Sequence, residues 1–362
     1  MTSPGIVSRP EAVTAEWLTA ALAASGHLDR GEVESFTAER VGTGLVGLNV
    51  RFSLRYRGDP GGGPAAVVAK FPSPDDVSRA TGIAMRNYER EVRFYREIAG
   101  TVGIRMPICY FAGIDMESGD FVLLLEDLAP ANPGNQITGC TVAEAELALT
   151  ELARLHGPRW DDASLDQIDW LSRHTDEGAE QLQALYQALW PMFIAKYGPS
   201  LSPAAIDLTE RLGASLAAWL DAREAPFTVT HGDYRLDNML FGTAAGGYPL
   251  AVVDWQTPGH GPGISDAAYF LGAGLLVDTR REYEEALVRG YHRSLLEQGV
   301  TGYPWSRCWD EYRRFAFSGV IMTVVASMVV AADDRGVAMF TAMGQRHTAA
   351  ALDLHAEAFL TG

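Results

Sequence analysis

Strand-like and helical segments are segregated along this chain, and that segregation constrains the fold more than any single motif. Residues 48–56 alternate Leu, Val, Phe, Leu and Tyr with Asn, Arg, Ser and Arg, the period of a half-buried strand. Residues 33–41 and 65–71 read as strands beside it, and residues 107–113 and 121–126 as two more. Residues 14–25, with Trp17, Leu18, Ala21 and Leu22 on one side, and the charged stretch 86–99 have helical spacing. Beyond a loop at 130–139 the chain is mostly helical, over 142–156, 178–196, 203–224, 280–298 and from 309 onward. Short strand-like segments between 227 and 254 interrupt it once. Strands followed by helices argue for an α+β fold, with a small β-rich part at 1–127 and a larger helical part at 128–362.

Composition narrows the function classes. The net charge is −17, which disfavours binding to a nucleic-acid backbone. Cys109, Cys140 and Cys308 lie far apart, so neither a disulfide framework nor a zinc site is expected. That usage suits a reducing compartment, and the polar first ten residues carry no apolar leader, so a cytoplasmic location is expected. Residues 315–332 carry no charge and are nearly long enough to span a bilayer. Ser318, Gly319, Thr323 and Ser327 punctuate them, and they read as a buried helix with no membrane partner.

The densest chemistry is His231-Gly232-Asp233-Tyr234-Arg235-Leu236-Asp237-Asn238, followed by an apolar strand ending in Asp254-Trp255-Gln256. Phosphoryl transfer needs one carboxylate to orient the attacking hydroxyl and hard oxygen ligands for the metal that bridges the phosphates. Asp233 fits the first need; Asn238 and Asp254 fit the second, with Mg²⁺ as the ion. Gly42, Gly44 and Gly47 form a G-x-G-x-x-G followed by a strand rather than a helix. That context suits a loop capping the phosphates of ATP, with a plain hairpin turn as the alternative. Lys70 interrupts an apolar strand and must find a partner. Glu91 on the following helix can steady it on the phosphates; the alternative is an edge-strand lysine reaching solvent.

These segments resemble the aminoglycoside phosphotransferase and choline kinase superfamily, whose fold is two-lobed and protein-kinase-like. VVAKF, YEREVRFYRE, LLLEDL, LARLHGPRW, HGDYRLDNMLF and AVVDWQ carry the resemblance from about residue 41 to 271. The LLLEDL and DWQ segments look nearest the ecdysteroid-kinase-like branch, and HGDYRLDN nearest the kinase domains fused to acyl-CoA dehydrogenases. The resemblance implies that Asp233 is the catalytic base, that His231 supports its loop, and that Asn238 and Asp254 hold Mg²⁺. It implies that Lys70, partnered by Glu91, binds ATP phosphates. Glu126, Asp127 and Leu128 become a hinge whose backbone binds adenine, and Asp266 a brace.

Gln256 departs from the protein-kinase pattern, which has glycine there, and no activation segment follows it. A small-molecule alcohol is therefore the expected acceptor rather than a peptide. Arg235 and Asp237 form a loop-bracing pair, or Arg235 stabilises the transferred phosphate. Trp160, Trp170, Tyr186, Trp190, Phe193 and Tyr197 read mostly as core, and otherwise as an aromatic pocket for an apolar alcohol. Asp161, Asp162, Asp166, Asp169, Asp176, Glu177 and Glu180 offer a polycationic aminoglycoside a carboxylate lining instead, or form a solvated face. The alternative to an enzyme is a non-catalytic nucleotide-binding protein of the same fold. Nothing in the sequence sets the oligomeric state.

Overall fold

The alternation at 48–56 becomes the second strand of a five-stranded antiparallel sheet in the computed structural model, which describes residues 4–42, 47–330 and 332–360. In chain order the first elements are α1 (Ala15–Ala24), β1 (Glu32–Arg40), β2 (Gly47–Arg57), β3 (Ala66–Pro72), α2 (Asp76–Ala84), α3 (Asn87–Arg93), β4 (Cys109–Ile114) and β5 (Phe121–Glu126). The sheet order is β1-β2-β3-β5-β4. β3 is therefore central, with Lys70 paired to Asn49 on one side and Leu123 on the other. A lysine there cannot reach solvent from an edge.

Side chains alternate across a strand, so one face of the sheet collects Val50, Phe52, Val67, Ala69, Phe71, Val122 and Leu124. Trp17, Leu18, Ala21 and Leu22 of α1 belong to the same core. Lys70 points the other way. Phe52 is fully buried and meets Phe36 edge-on at 5.3 Å. Phe52→Ala is expected to lower unfolding free energy by about 3–5 kcal/mol in a denaturant titration. A loss below about 1 kcal/mol would mean that this core relaxes around the cavity.

The chain continues through β6 (Ala131–Pro133), α4 (Val142–His156), β7 (Ser172–Arg173), α5 (Asp176–Tyr197), α6 (Pro203–Asp221), β8 (Thr228–Thr230), β9 (Met239–Thr243), β10 (Gly246–Val252) and β11 (Gly259–Gly261). It ends with α7 (Ile264–Gly274), α8 (Val277–Glu297), α9 (Trp305–Phe315), α10 (Phe317–Val329) and α11 (Asp334–Asp353). A capping box between Thr141 and Glu144 starts α4. α10 takes up residues 317–329 of the uncharged stretch 315–332, whose Phe315 ends α9; it packs on α5, α7 and α11, and no helix among the described residues is long and apolar enough to cross a membrane.

Two units emerge. One comprises Met1–Thr101, Arg105–Ala131 and Ala245–Thr257; the other comprises Val102–Ile104, Asn132–Ala244 and Pro258–Gly362. The return of Ala245–Thr257 to the first unit is something a single boundary at residue 127 leaves out. Within that unit the Val252 N–H donates to the Arg105 carbonyl at 2.9 Å.

Two helical expectations change. α2 falls in a stretch with no assigned element, started by Asp75, whose carboxylate accepts from the Ser78 N–H at 2.8 Å. The helix expected over 86–99 is α-helical only to Arg93. A π-turn then runs over Phe94–Ile98 and a 3₁₀ turn over Ala99–Thr101. The widened turn begins at Phe94, whose ring stacks on Trp255 at 4.1 Å with planes 5° apart.

Candidate active site

The first unit gathers charge around Lys70. Lys70 lies near the end of β3, and its Nζ donates to Glu91 Oε1 of α3 at 2.8 Å and to Asp254 Oδ1 at 3.0 Å. Glu91 is 1% exposed and Lys70 8%. Burial alone would push the lysine pKa down, but the carboxylates of Asp254 and Glu91 outweigh it and raise it, so the ammonium stays charged. Asp254 follows β10 with φ +69°, a left-handed backbone that aspartate tolerates better than most residues. Gln256 Nε2 donates to Glu91 Oε2 at 3.3 Å. The residue that departs from the protein-kinase pattern thus shares Glu91 Oε2 with Lys70, whose Nζ lies 2.8 Å from the same oxygen.

Of the three glycines, Gly47 borders this cluster. Gly42 has φ +73°, and a Cβ on Gly47 would lie 3.3 Å from Lys70 Cε and 3.2 Å from the Phe71 carbonyl. Gly44 lies outside the described residues. Arg51 grips Asp127 through Nε at 2.8 Å and Nη2 at 3.1 Å. Glu126 accepts from Arg105 Nη2 at 2.5 Å and from the Tyr248 hydroxyl at 3.0 Å, and Leu128 is buried.

The second unit builds a loop around Asp233. Buried β8 delivers the chain to His231, and Gly232 turns it with φ +80°. Asp266, near the start of α7, accepts the N–H of His231 at 2.7 Å and of Gly232 at 3.1 Å. His156 Nε2 lies 3.3 Å from the same carboxylate. The Asp233 N–H donates to His231 Nδ1 at 3.3 Å.

The Asp233 carboxylate has three donors. Arg235 Nε lies 3.1 Å from both oxygens, Asn238 Nδ2 lies 3.0 Å from Oδ2, and the Tyr269 hydroxyl lies 2.9 Å from Oδ1. Asn238 Nδ2 also donates to the Asp233 carbonyl at 2.9 Å. Arg235 Nη1 donates to Asp237 Oδ2 at 2.9 Å, and Arg335 adds two bonds to Asp237 at 3.0 and 3.2 Å. Burial would raise the Asp237 pKa, but the guanidinium groups and the Gln136 N–H hold it below the ordinary carboxylate range. Arg235 is thus shared between two aspartates of one loop.

Several contributors carry no sequence signal. Gln136, in the stretch read only as a loop, accepts the Leu236 N–H on Oε1 at 3.0 Å and donates its own N–H to Asp237 at 3.0 Å. Arg346 of α11 holds the Gln136 carbonyl at 2.9 Å. Tyr269 is three residues beyond Asp266, a spacing that puts both on one helix face. Of the aromatic candidates, Trp170, Tyr186, Phe193 and Tyr197 are buried, while Trp160 and Trp190 are half-buried. The Tyr186 hydroxyl and Trp190 Nε1 both bond to Thr209, across the α5–α6 packing. All of the acidic candidates except half-buried Asp162 are exposed.

Residues 52–309 match the model of the phosphotransferase enzyme family. A candidate aminoglycoside phosphotransferase from Ralstonia eutropha JMP134 is similar over 91% of this chain and 97% of its own, at 18% identity and a TM-score of 0.50. The GDP complex of aminoglycoside 2'-phosphotransferase-IIIa is similar over 87% and 94%, at 16% identity and a TM-score of 0.51. A spectinomycin phosphotransferase in complex with ADP and spectinomycin is similar over 96% and 100%, at 11% identity and a TM-score of 0.51. At these identities the likeness is one of fold. No curated protein matches the chain.

Proposed function

Because this chain belongs to the phosphotransferase enzyme family, we propose that it moves the γ-phosphoryl group of ATP onto a hydroxyl of a small molecule with the help of Mg²⁺. The observation that carries this reading is the Asp233 carboxylate, oriented by three donors in a loop whose backbone Asp266 pins. A carboxylate so held suits a general base that aligns an acceptor hydroxyl and takes its proton. Its fixed orientation supplies part of the rate by positioning.

The other residues take roles that fit their surroundings. Lys70, kept charged by Glu91, binds the phosphates, and Gln256 steadies Glu91. Gly42, Gly44 and Gly47 let the backbone approach the phosphates, and the Glu126–Leu128 backbone receives the adenine. Mg²⁺ fits the donor types present. Asp254 already faces a cation in Lys70, and the Asn238 amide nitrogen is engaged by Asp233, which leaves the amide oxygen as a ligand. When bound to such oxygen ligands, Mg²⁺ would offset the charge of the phosphates. Arg235 braces Asp233 against Asp237 and His231 supports the turn.

Tyr186 and Trp190 of α5 are bonded to Thr209 of α6, which argues against their lining an aromatic acceptor pocket. The test is Mg²⁺-dependent ADP release from ATP across aminoglycosides, macrolides, steroids, sugars and hydroxyacyl thioesters. Turnover with one class, lost on chelation of Mg²⁺, is the expected result and names the acceptor class. ATP binding without turnover on any acceptor would favour a non-catalytic nucleotide-binding protein. Failure to bind ATP would sink both readings.

A further inference from the structure

Among the described residues, helix α7 presents Asp266 and Tyr269 to the 231–233 loop, and Tyr269 is one of three donors to Asp233 with no role of its own in the proposed function. Its hydroxyl is, among the described residues, the donor to Asp233 that comes from outside the loop, since Arg235 and Asn238 both lie within five residues of the carboxylate they hold. A carboxylate bonded only by its own loop moves with that loop. A donor from a packed helix ties its rotation to the helical frame.

The Tyr269 ring is 5% exposed and stacks on His347 of α11, with centroids 5.4 Å apart and planes 6° from parallel. His347 is 1% exposed, and neither ring nitrogen has a hydrogen-bond partner among the described residues. What His347 supplies to Tyr269 is therefore the face of a ring, with no hydrogen bond from either nitrogen. Two glycines make the space. A Cβ on Gly272 would lie 2.6 Å from His347 Nδ1, and a Cβ on Gly319 would overlap the ring. Helices α7 and α10 thus both lack side chains where the imidazole sits. Burial and the neighbouring Arg346 push the His347 pKa down to about 3, so the ring is neutral at neutral pH. Burial raises the Tyr269 phenol well above its usual range, so it remains a donor.

We propose that Tyr269, seated on His347, is a positioning residue that fixes the Asp233 carboxylate for phosphoryl transfer. The proposal rests on the phosphotransferase reading above. It concerns the chemical step and leaves nucleotide affinity alone, because the Tyr269 hydroxyl bonds to Asp233, the group proposed to act on the acceptor rather than on the nucleotide.

The experiment compares Tyr269→Phe, His347→Ala and His347→Phe with the wild type in kcat, ATP dissociation constant and melting temperature. Tyr269→Phe keeps the ring and removes one hydrogen bond to a charged group, so kcat should fall about 10- to 100-fold. The ATP dissociation constant should stay within about twofold. His347→Ala should lower kcat the same way, and His347→Phe should recover most of it by restoring a ring under Tyr269. Wild-type kcat in Tyr269→Phe overturns the proposal while leaving the parent reading intact. Loss of ATP affinity in step with kcat overturns it too, because that is the mark of a general structural role. A wild-type protein that turns over no acceptor overturns the parent reading and this one with it.

Discussion

Asp233→Asn is expected to lower kcat by about 10²- to 10⁴-fold while ATP still binds with near wild-type affinity. The substitution keeps the side-chain shape but removes the negative charge and the proton-accepting oxygen pair. Arg235 Nε, 3.1 Å from both carboxylate oxygens, would then rely on Asp237, 2.9 Å from Nη1, for its remaining counter-charge. The loop should keep its path, because Asp266 holds the N–H groups of His231 and Gly232 and Gln136 holds that of Leu236. Coupled ADP-release kinetics, calorimetric ATP titration and a melting curve separate these effects. A variant that transfers phosphate at the wild-type rate would remove Asp233 from the role of base.

Glu91→Ala should damage nucleotide use and stability together. Lys70 is 8% exposed, and removing one partner of a buried ion pair typically costs about 3–5 kcal/mol because a charge is left behind. Asp254 softens that loss, since it already accepts from Lys70 at 3.0 Å. The softening has a consequence. A lysine held by Asp254 alone competes with the metal and phosphates proposed for those two groups. KM for ATP should rise about tenfold or more, with a lower melting temperature. Gln256 would also lose its acceptor on Glu91. A Glu91→Ala protein with wild-type KM for ATP would show that Lys70 needs no help from α3.

Much of the site could be found in the sequence because its members are close along the chain or lie at element ends. Asp233 and Asn238 are five residues apart and bond each other across one turn. Lys70 advertised itself as a charge in an apolar strand, and the charged helix after it held the partner. The segregated strands and helices likewise made the α+β class legible, since strand and helix periods are local properties of the side-chain pattern. Local patterns also misled. The 86–99 stretch has an unbroken helical spacing, yet it widens into a π-turn at Phe94, where Trp255, more than 150 residues later in the chain, stacks on it.

What only the tertiary structure decided is how each charged group is satisfied. Tyr269 reaches Asp233 across 36 residues, Gln136 reaches Leu236 across 100, and Gln256 reaches Glu91 across 165. His347 leaves no trace at all in the pattern, and its place is visible only in the glycines of two other helices. The physical reason is one of range. Periodicity records which face of an element is buried, because every residue in the element experiences it. A single hydrogen bond between distant segments needs only one suitable side chain at the right point in the packing, and changes nothing in the residues beside it. The amino-acid sequence by itself therefore determined the segregated strands and helices and the motifs from which phosphoryl transfer is proposed, while the folded chain decided which groups hold the Asp233 carboxylate and the Lys70 ammonium in place.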